Sequence, residues 1–147
     1  MAMKIKQILQ GKAVNALYTV TSEQTVLDAL KLMAEKNIGA VLVVDDGQLT
    51  GIFSERDYAR KVILKDRSSG DTRIREVMTA QVITIEPDQR IEECMLIMSD
   101  KHIRHLPVVN KGELLGIISI NDVVTAIIRD QKIRIDSLES YISGSPY

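Results

Sequence analysis

The segment Gly51-Ile-Phe-Ser-Glu-Arg-Asp57 returns 65 residues on as Gly116-Ile-Ile-Ser-Ile-Asn-Asp122. The same offset relates Thr19 to Thr84, Met33 to Met98, Lys36 to Lys101, Ile38 to Ile103, Val43 to Val108, Gly47 to Gly112 and Leu49 to Leu114 without a gap. A repeat of this length is a supersecondary unit that buries its apolar face against its copy. Two pseudo-equivalent units also leave two pseudo-equivalent clefts between them.

Each copy reads as strand, helix, strand, strand, helix. Before the first copy, Met3 to Gln10 is an amphipathic helix with Ile5, Ile8 and Leu9 on one side, ended by Gly11. Tyr18-Thr19-Val20 is extended. Thr25 and Asp28 have capping-box spacing, and Val26, Ala29, Leu30 and Met33 follow the i, i+3, i+4, i+7 stripe of a buried helix. Asn37 and Gly39 stop it. Ala40 to Val44 is an uninterrupted apolar strand, Asp45-Asp46-Gly47 a hairpin turn, and Leu49 to Phe53 the returning strand. Ser54 opens a helix with Tyr58, Ala59, Val62 and Ile63 on one side.

Asp66 to Asp71 is a polar connection, and the order then repeats. Val82-Ile83-Thr84 reads as strand, and Ile91, Cys94, Met95 and Met98 as a core-facing stripe. Leu106 to Val109 and Leu114 to Ile118 make a hairpin around Lys111-Gly112. Pro107 belongs at a strand start or edge, because it has no N–H to give. The last helix starts near Asn121 and runs past Ile135 and Leu138, with Gly144 and Pro146 to end it. The fold class is α/β, two pseudo-symmetric β-α-β-β-α repeats in one compact module. The boundaries expected are 12–66 and 77–130 for the repeats, 1–11 for the N-terminal helix and 131–147 for a C-terminal helical extension.

Ser54 with Asp57, and Ser119 with Asp122, admit two uses. Ser-x-x-Asp at a helix start is a capping pair. The same helix start, with its free N–H groups and positive dipole end, also seats phosphate, and a carboxylate one turn on accepts from the two hydroxyls of a ribose. The uses are compatible, since a cap can exchange its partner for a ligand.

The repeat order, the hairpins and the Gly-apolar-apolar-Ser-x-x-Asp ending resemble the cystathionine β-synthase (CBS) domain, and the tandem resembles its paired module. The resemblance runs from about Val14 to about Ile128. It is carried by Arg104-His105-Leu106-Pro107-Val108-Val109, Gly112, Gly116-Ile117-Ile118-Ser119, Asp122, and Glu76-Val77-Met78-Thr79 opening the second copy. It implies a regulatory adenine-nucleotide sensor rather than an enzyme, holding AMP, ATP or NAD between the repeats without any catalytic cofactor. It also implies a homodimer acting on a separate regulated protein.

By the same resemblance the two clefts differ. Around Asp122 it places Ser119, with Arg104 and His105 facing a phosphate and Ala16, Leu17 and Tyr18 near the base; Ile38, Gly39 and Ile103 belong to the ligand-binding set. The first-copy counterparts of Arg104 and His105 are the uncharged Gly39 and Ala40. Around Asp57 it places Ser54, Arg56, Thr79 and Val82, with Arg60 and Lys61 close by for a longer phosphate chain. The rival is a scaffold whose Ser and Asp residues only cap helices.

Composition narrows the remaining classes. Net charge is −1 and aromatics make up 3% of the chain, so neither a nucleic-acid surface nor an anionic membrane is expected as partner. The apolar runs are too short to span a bilayer, no secretory leader is visible, and one cysteine permits no intrachain disulfide, so the cytoplasm is expected. His102 and His105 lack further ligands for a metal. Cys94 and the methionines Met33, Met95 and Met98 read as core, and Ser54 lacks the Gly-x-Ser-x-Gly setting of a nucleophile.

Overall fold

The computed structural model describes residues 3–12 and 17–142. Its elements are α1 (Ile5–Gly11), β1 (Thr19–Val20), α2 (Val26–Lys36), β2 (Ala40–Asp45), β3 (Gln48–Ser54), α3 (Glu55–Lys61), α4 (Ile74–Val77), α5 (Ile91–Lys101), β4 (His105–Asn110), β5 (Glu113–Ser119) and α6 (Ile120–Ile142). A single 3-10 turn, Ile63–Lys65, follows α3.

The two hairpins are near copies. Asp46 and Gly47 close one with φ of 50° and 77°, Lys111 and Gly112 the other with 50° and 81°, the paired positive φ of the tight turn that matches strand twist. Both ladders shift register at the same place, between Val43 and Val44 and between Val108 and Val109. Asn37 and His102 end α2 and α5 in the left-handed region, so the second stop falls to a histidine.

The copies differ at their first strand. In the first, β1 runs parallel to β2 as Thr19↔Leu42 and Val20↔Val43, and the Leu42 N–H donates to the Tyr18 carbonyl at 3.4 Å. In the second, the strand expected over Val82-Ile83-Thr84 is absent; only Ile85 bridges to Val108. The reason is Pro107, which occupies the place of Leu42 and has no N–H for the Ile83 carbonyl. Pro107 thus sits inside β4, paired to Ile117 on one side and with no N–H to offer on the other. Its carbonyl still accepts from the Ile85 N–H at 2.9 Å.

Each repeat has its own core. The first gathers Val20, Val26, Ala29, Met33, Val41, Val43, Phe53 and Val62. The second gathers Ile85, Ile91, Cys94, Met98, Leu106, Val108, Ile118 and Val123. The helices preceding the repeats are exchanged between these cores. Ile5, Ile8 and Leu9 of α1, ahead of the first copy, are buried in the second core. Ile74 and Val77 of α4, ahead of the second, are buried in the first. The backbone repeats the exchange bond for bond: Ile5 N–H to Gln89 O, Lys6 N–H to Pro87 O and Ile91 N–H to Met3 O answer Ile74 N–H to Gln24 O, Arg75 N–H to Ser22 O and Val26 N–H to Thr72 O, each 2.9 Å. The halves therefore interlock.

Two expected faces need correction. α3 stops at Lys61, so Ala59 and Ile63 face solvent and Val62 alone of that stripe is fully buried, with Tyr58 half-buried. Met95 is exposed rather than core, because α5 turns only Ile91, Cys94 and Met98 inward. α6 begins at Ile120 as the motif required, but Gly144 and Pro146 lie outside the described residues.

Candidate functional site

β3 feeds α3 through Ser54, and β5 feeds α6 through Ser119. At both junctions the capping pair is made. Ser54 N–H donates to Asp57 Oδ2 at 3.0 Å and Asp57 N–H to Ser54 Oγ at 3.2 Å. Ser119 N–H donates to Asp122 Oδ2 at 2.8 Å and Asp122 N–H to Ser119 Oγ at 3.2 Å. Glu55 N–H to Gly39 O (3.0 Å) and Ile120 N–H to Arg104 O (2.9 Å) then tie each helix start to the start of the facing strand. That tie sets Arg104 and His105 beside Asp122, and His105 pairs across the sheet with Ser119.

The carboxylates have different company. Asp57 is buried, and both of its oxygens are taken: Oδ2 by the Ser54 N–H and hydroxyl, Oδ1 by the Thr79 hydroxyl at 3.2 Å and the Lys61 ammonium at 3.0 Å. Thr79 arrives there because the chain leaving α4 crosses β3 at Gly51 and Ile52. Its backbone exchanges hydrogen bonds with Ile52 (2.9 and 3.0 Å), and a Cβ on Gly51 would stand 2.6 Å from Met78 Sδ. This close approach accounts for one glycine of the repeated motif.

Asp122 is less crowded. Its Oδ2 takes the Ser119 N–H and the Lys12 ammonium at 3.1 Å, while its Oδ1 receives no hydrogen bond among the described residues. Lys12 also donates to the Ile117 carbonyl at 2.9 Å. Sequence reasoning missed Lys12, although a signal existed. Lys4-Ile-Lys-Gln-Ile-Leu9 and Arg73-Ile-Arg-Glu-Val-Met78 align at a second offset, 69 residues, with Gln7 and Glu76 bonding back to the N–H of Lys4 and Arg73. The chain leaving each of these helices passes the opposite carboxylate, bringing Thr79 to one and Lys12 to the other.

His105 leans over the first repeat: its ring atoms lie 3.4 Å from where a Gly39 Cβ would be, and Glu55 Oε1 lies 3.7 Å from the same point. Burial pushes its pKa down; Asp122 pulls it up, and Lys12 and Arg104 push it further down. Lys12 thus pairs with Asp122 directly, and His105 feels the charges of Asp122, Lys12 and Arg104. Arg104 is exposed.

The other expected residues distribute unevenly. Arg56 donates to the His102 carbonyl at the end of α5, linking the two repeats rather than facing Asp57. Arg60 is exposed. Val82 and Leu17 hold equivalent positions ahead of the first strand, Val82 half-buried and Leu17 at 40% exposure. Tyr18 lies under the Lys36 ammonium, 5.3 Å from the ring centre. Ile38 and Ile103 follow the left-handed helix stops and pack against the first and second cores respectively. Ala16 lies outside the described residues.

A separate cavity of about 220 Å³ opens between α5 and α6, lined by Met3, Ile91, Met95, Ile127 and Arg134 among others, away from both carboxylates. Among the described residues no group of three His, Cys, Asp or Glu is placed to hold a metal ion, and no helix is long and apolar enough to cross a membrane.

The model of the CBS domain family matches residues 8–64 and 74–129. A CBS domain-containing protein of Arabidopsis thaliana, described as mitochondrial, is 40% identical over 129 residues, which are 84% of this chain and 63% of the relative. The chain therefore spans less than two thirds of that relative's length. Among solved structures, a protein with CBS domains from Burkholderia ambifaria is 52% identical, covers 88% of this chain and 96% of its own, and superposes with a TM-score of 0.85. The CBS domain pair of protein MJ0100, solved in complex with 5′-methylthioadenosine and S-adenosyl-L-methionine, is 26% identical with a TM-score of 0.78, covering 88% and 99%.

Proposed function

This chain belongs to the CBS domain family and carries the domain twice, and from that premise we propose that it is a regulatory module binding a phosphorylated adenosine at Asp122. One observation carries the reading: Asp122 Oδ1 receives no hydrogen bond among the described residues, while Lys12 is paired to Oδ2 and His105 lies within the electrostatic reach of Asp122, Lys12 and Arg104. A carboxylate with a vacant oxygen suits a ribose diol, and a helix N-terminus with nearby cations suits phosphate. The adenosine ligands of the MJ0100 pair support the ligand class. The charges of Lys12 and Arg104 favour AMP, or the AMP half of ATP or NAD, over the sulfonium of S-adenosylmethionine.

The Asp57 site is the weaker of the two. A ribose there must displace Lys61 and Thr79 from an already satisfied carboxylate, and Arg56 is engaged elsewhere. That full set of partners favours a structural, scaffold-like role for this half. The output is regulatory rather than catalytic: occupancy shifts the packing of interlocked repeats, and a separate protein reads the change, provided the two packings differ in nucleotide affinity. Exposed apolar residues on α3's following turn, α5 and α6, among them Ile63, Leu64, Leu96 and Ile128, suit a homodimer. The cytoplasm is our placement, with the mitochondrial relative marking the alternative.

The test is nucleotide titration by calorimetry, paired with thermal unfolding. Ligand at about 100 Kd adds roughly 2.7 kcal/mol of stability. Asp122→Ala removes both binding and the shift, while Asp57→Ala leaves binding at the Asp122 site. No heat and no shift with AMP, ATP or NAD would leave the scaffold reading standing.

A further inference from the structure

We propose that two copies of this chain join through the outer stripe of α6 as a parallel, in-register, two-stranded coiled coil. The inference rests on the homodimer reading above and specifies its geometry; it does not depend on the nucleotide. Val124, Ile128, Gln131, Ile135, Leu138 and Ile142 follow one another at alternating steps of four and three along the helix, the a and d spacing of a heptad seam. All five hydrophobic members are exposed, from 46% at Val124 to 74% at Ile142. Every residue from Gln131 to Glu139 is exposed, and among the described residues this half of α6 stands largely clear of the body, with Gln131 and Arg134 at the edge of the cavity toward α5. An amphipathic helix in that position lacks the packing that stabilises helices in water.

The occupant follows from the residues beside and within the seam. Isoleucine at a (128, 135, 142) with leucine at d (138) is the combination that favours two parallel strands, with Val124 at the d position where the seam begins. In that arrangement Arg134 falls at g and meets Glu139 of the second copy at the e position of the next heptad, and symmetry makes the pair twice. Gln131 sets direction and register. A parallel, in-register pair places it opposite its own counterpart, where the two amides bond to each other. Every antiparallel register matches an a to a d, so Gln131 would face an isoleucine and bury an amide against hydrocarbon. Arg134 is already steadied by Asp130 at 3.3 Å on the same helix, and its five donors serve both carboxylates.

Cysteine crosslinking of the full chain, combined with sedimentation, tests this, since the native Cys94 is buried. Leu138→Cys and Gln131→Cys should each oxidise to a covalent dimer, whereas Ile133→Cys, on the far face, should not. Glu139→Arg should weaken the dimer about fivefold to tenfold, like charges now facing one another twice, and adding Arg134→Glu should restore it. A dimer that Leu138→Cys does not lock overturns the seam and leaves the homodimer reading intact; a monomer overturns both. Restoration by Lys132→Glu in place of Arg134→Glu marks an antiparallel pair and equally overturns the proposal.

Discussion

Lys12 and Asp122 form an ion pair of 3.1 Å between the end of α1 and the start of α6, with the lysine side chain 19% exposed and the aspartate 22%. On the nucleotide reading a ribose diol that spans both carboxylate oxygens displaces the lysine from Oδ2, and the freed charge is the one a phosphate needs. Lys12 then turns from carboxylate to phosphate as ligand enters. Lys12→Met should therefore weaken AMP by about 1.5–3 kcal/mol, the range for a hydrogen bond to a charged group, while changing adenosine little. Calorimetry with the two ligands gives the comparison, and an equal loss for both would remove Lys12 from the phosphate.

His105 gives the site a pH dependence whose sign is fixed by burial. Its folded pKa lies below the unfolded value of 6.5, so above pH 6.5 the ring is neutral in both states and its contribution to stability is complete. As pH falls from there toward the folded value, the unfolded chain takes up the proton first and stability drops. His105→Gln should flatten that slope in denaturant titrations between pH 5 and 7. Phosphate beside the ring reverses the shift, so AMP binding near pH 6 should draw in a proton, read as an enthalpy that changes with the ionisation heat of the buffer.

Gly51→Ala puts a methyl 2.6 Å from Met78 Sδ and 3.1 Å from the Thr79 carbonyl oxygen. The thioether can swing aside; the backbone carbonyl cannot, since it accepts from the Ile52 N–H. A loss of about 1–3 kcal/mol is expected, the range for overpacking, measured by chemical denaturation. Unchanged stability would mean that the crossing strand is looser than this packing requires.

Cys94 is fully buried in the second core, and burial pushes its thiol up to about 11. The native protein should react with a thiol reagent only through opening of α5. The reaction rate under native conditions should thus track opening of the second core, and fast labelling at neutral pH would contradict the packing.

What could be read from residues, and what could not, divides along one physical line. The hairpins were legible because Gly47 and Gly112 accept positive φ in any context, and the capping pairs because Ser and Asp three apart act locally. The buried stripes of α2 and α5 were legible apart from Met95, whose exposure depends on how far α5 is rotated toward its core. Long-range competition was hidden. Pro107 removes a donor needed only by a neighbouring strand, and Arg56 finds a carbonyl at the far end of α5. Lys12 required seeing that the short helices repeat at 69 residues while the rest repeats at 65.

The exchange of α1 and α4 has a consequence for how the molecule can be divided. A cut in the polar connection at Asp66 to Asp71 gives two pieces of similar length, each carrying the helix that its sibling needs and missing its own. Either piece alone exposes a groove where Ile5, Ile8 and Leu9, or Ile74 and Val77, belong. Mixed together, the pieces should reassemble by trading those helices, as two half-hitches hold only when each passes through the other.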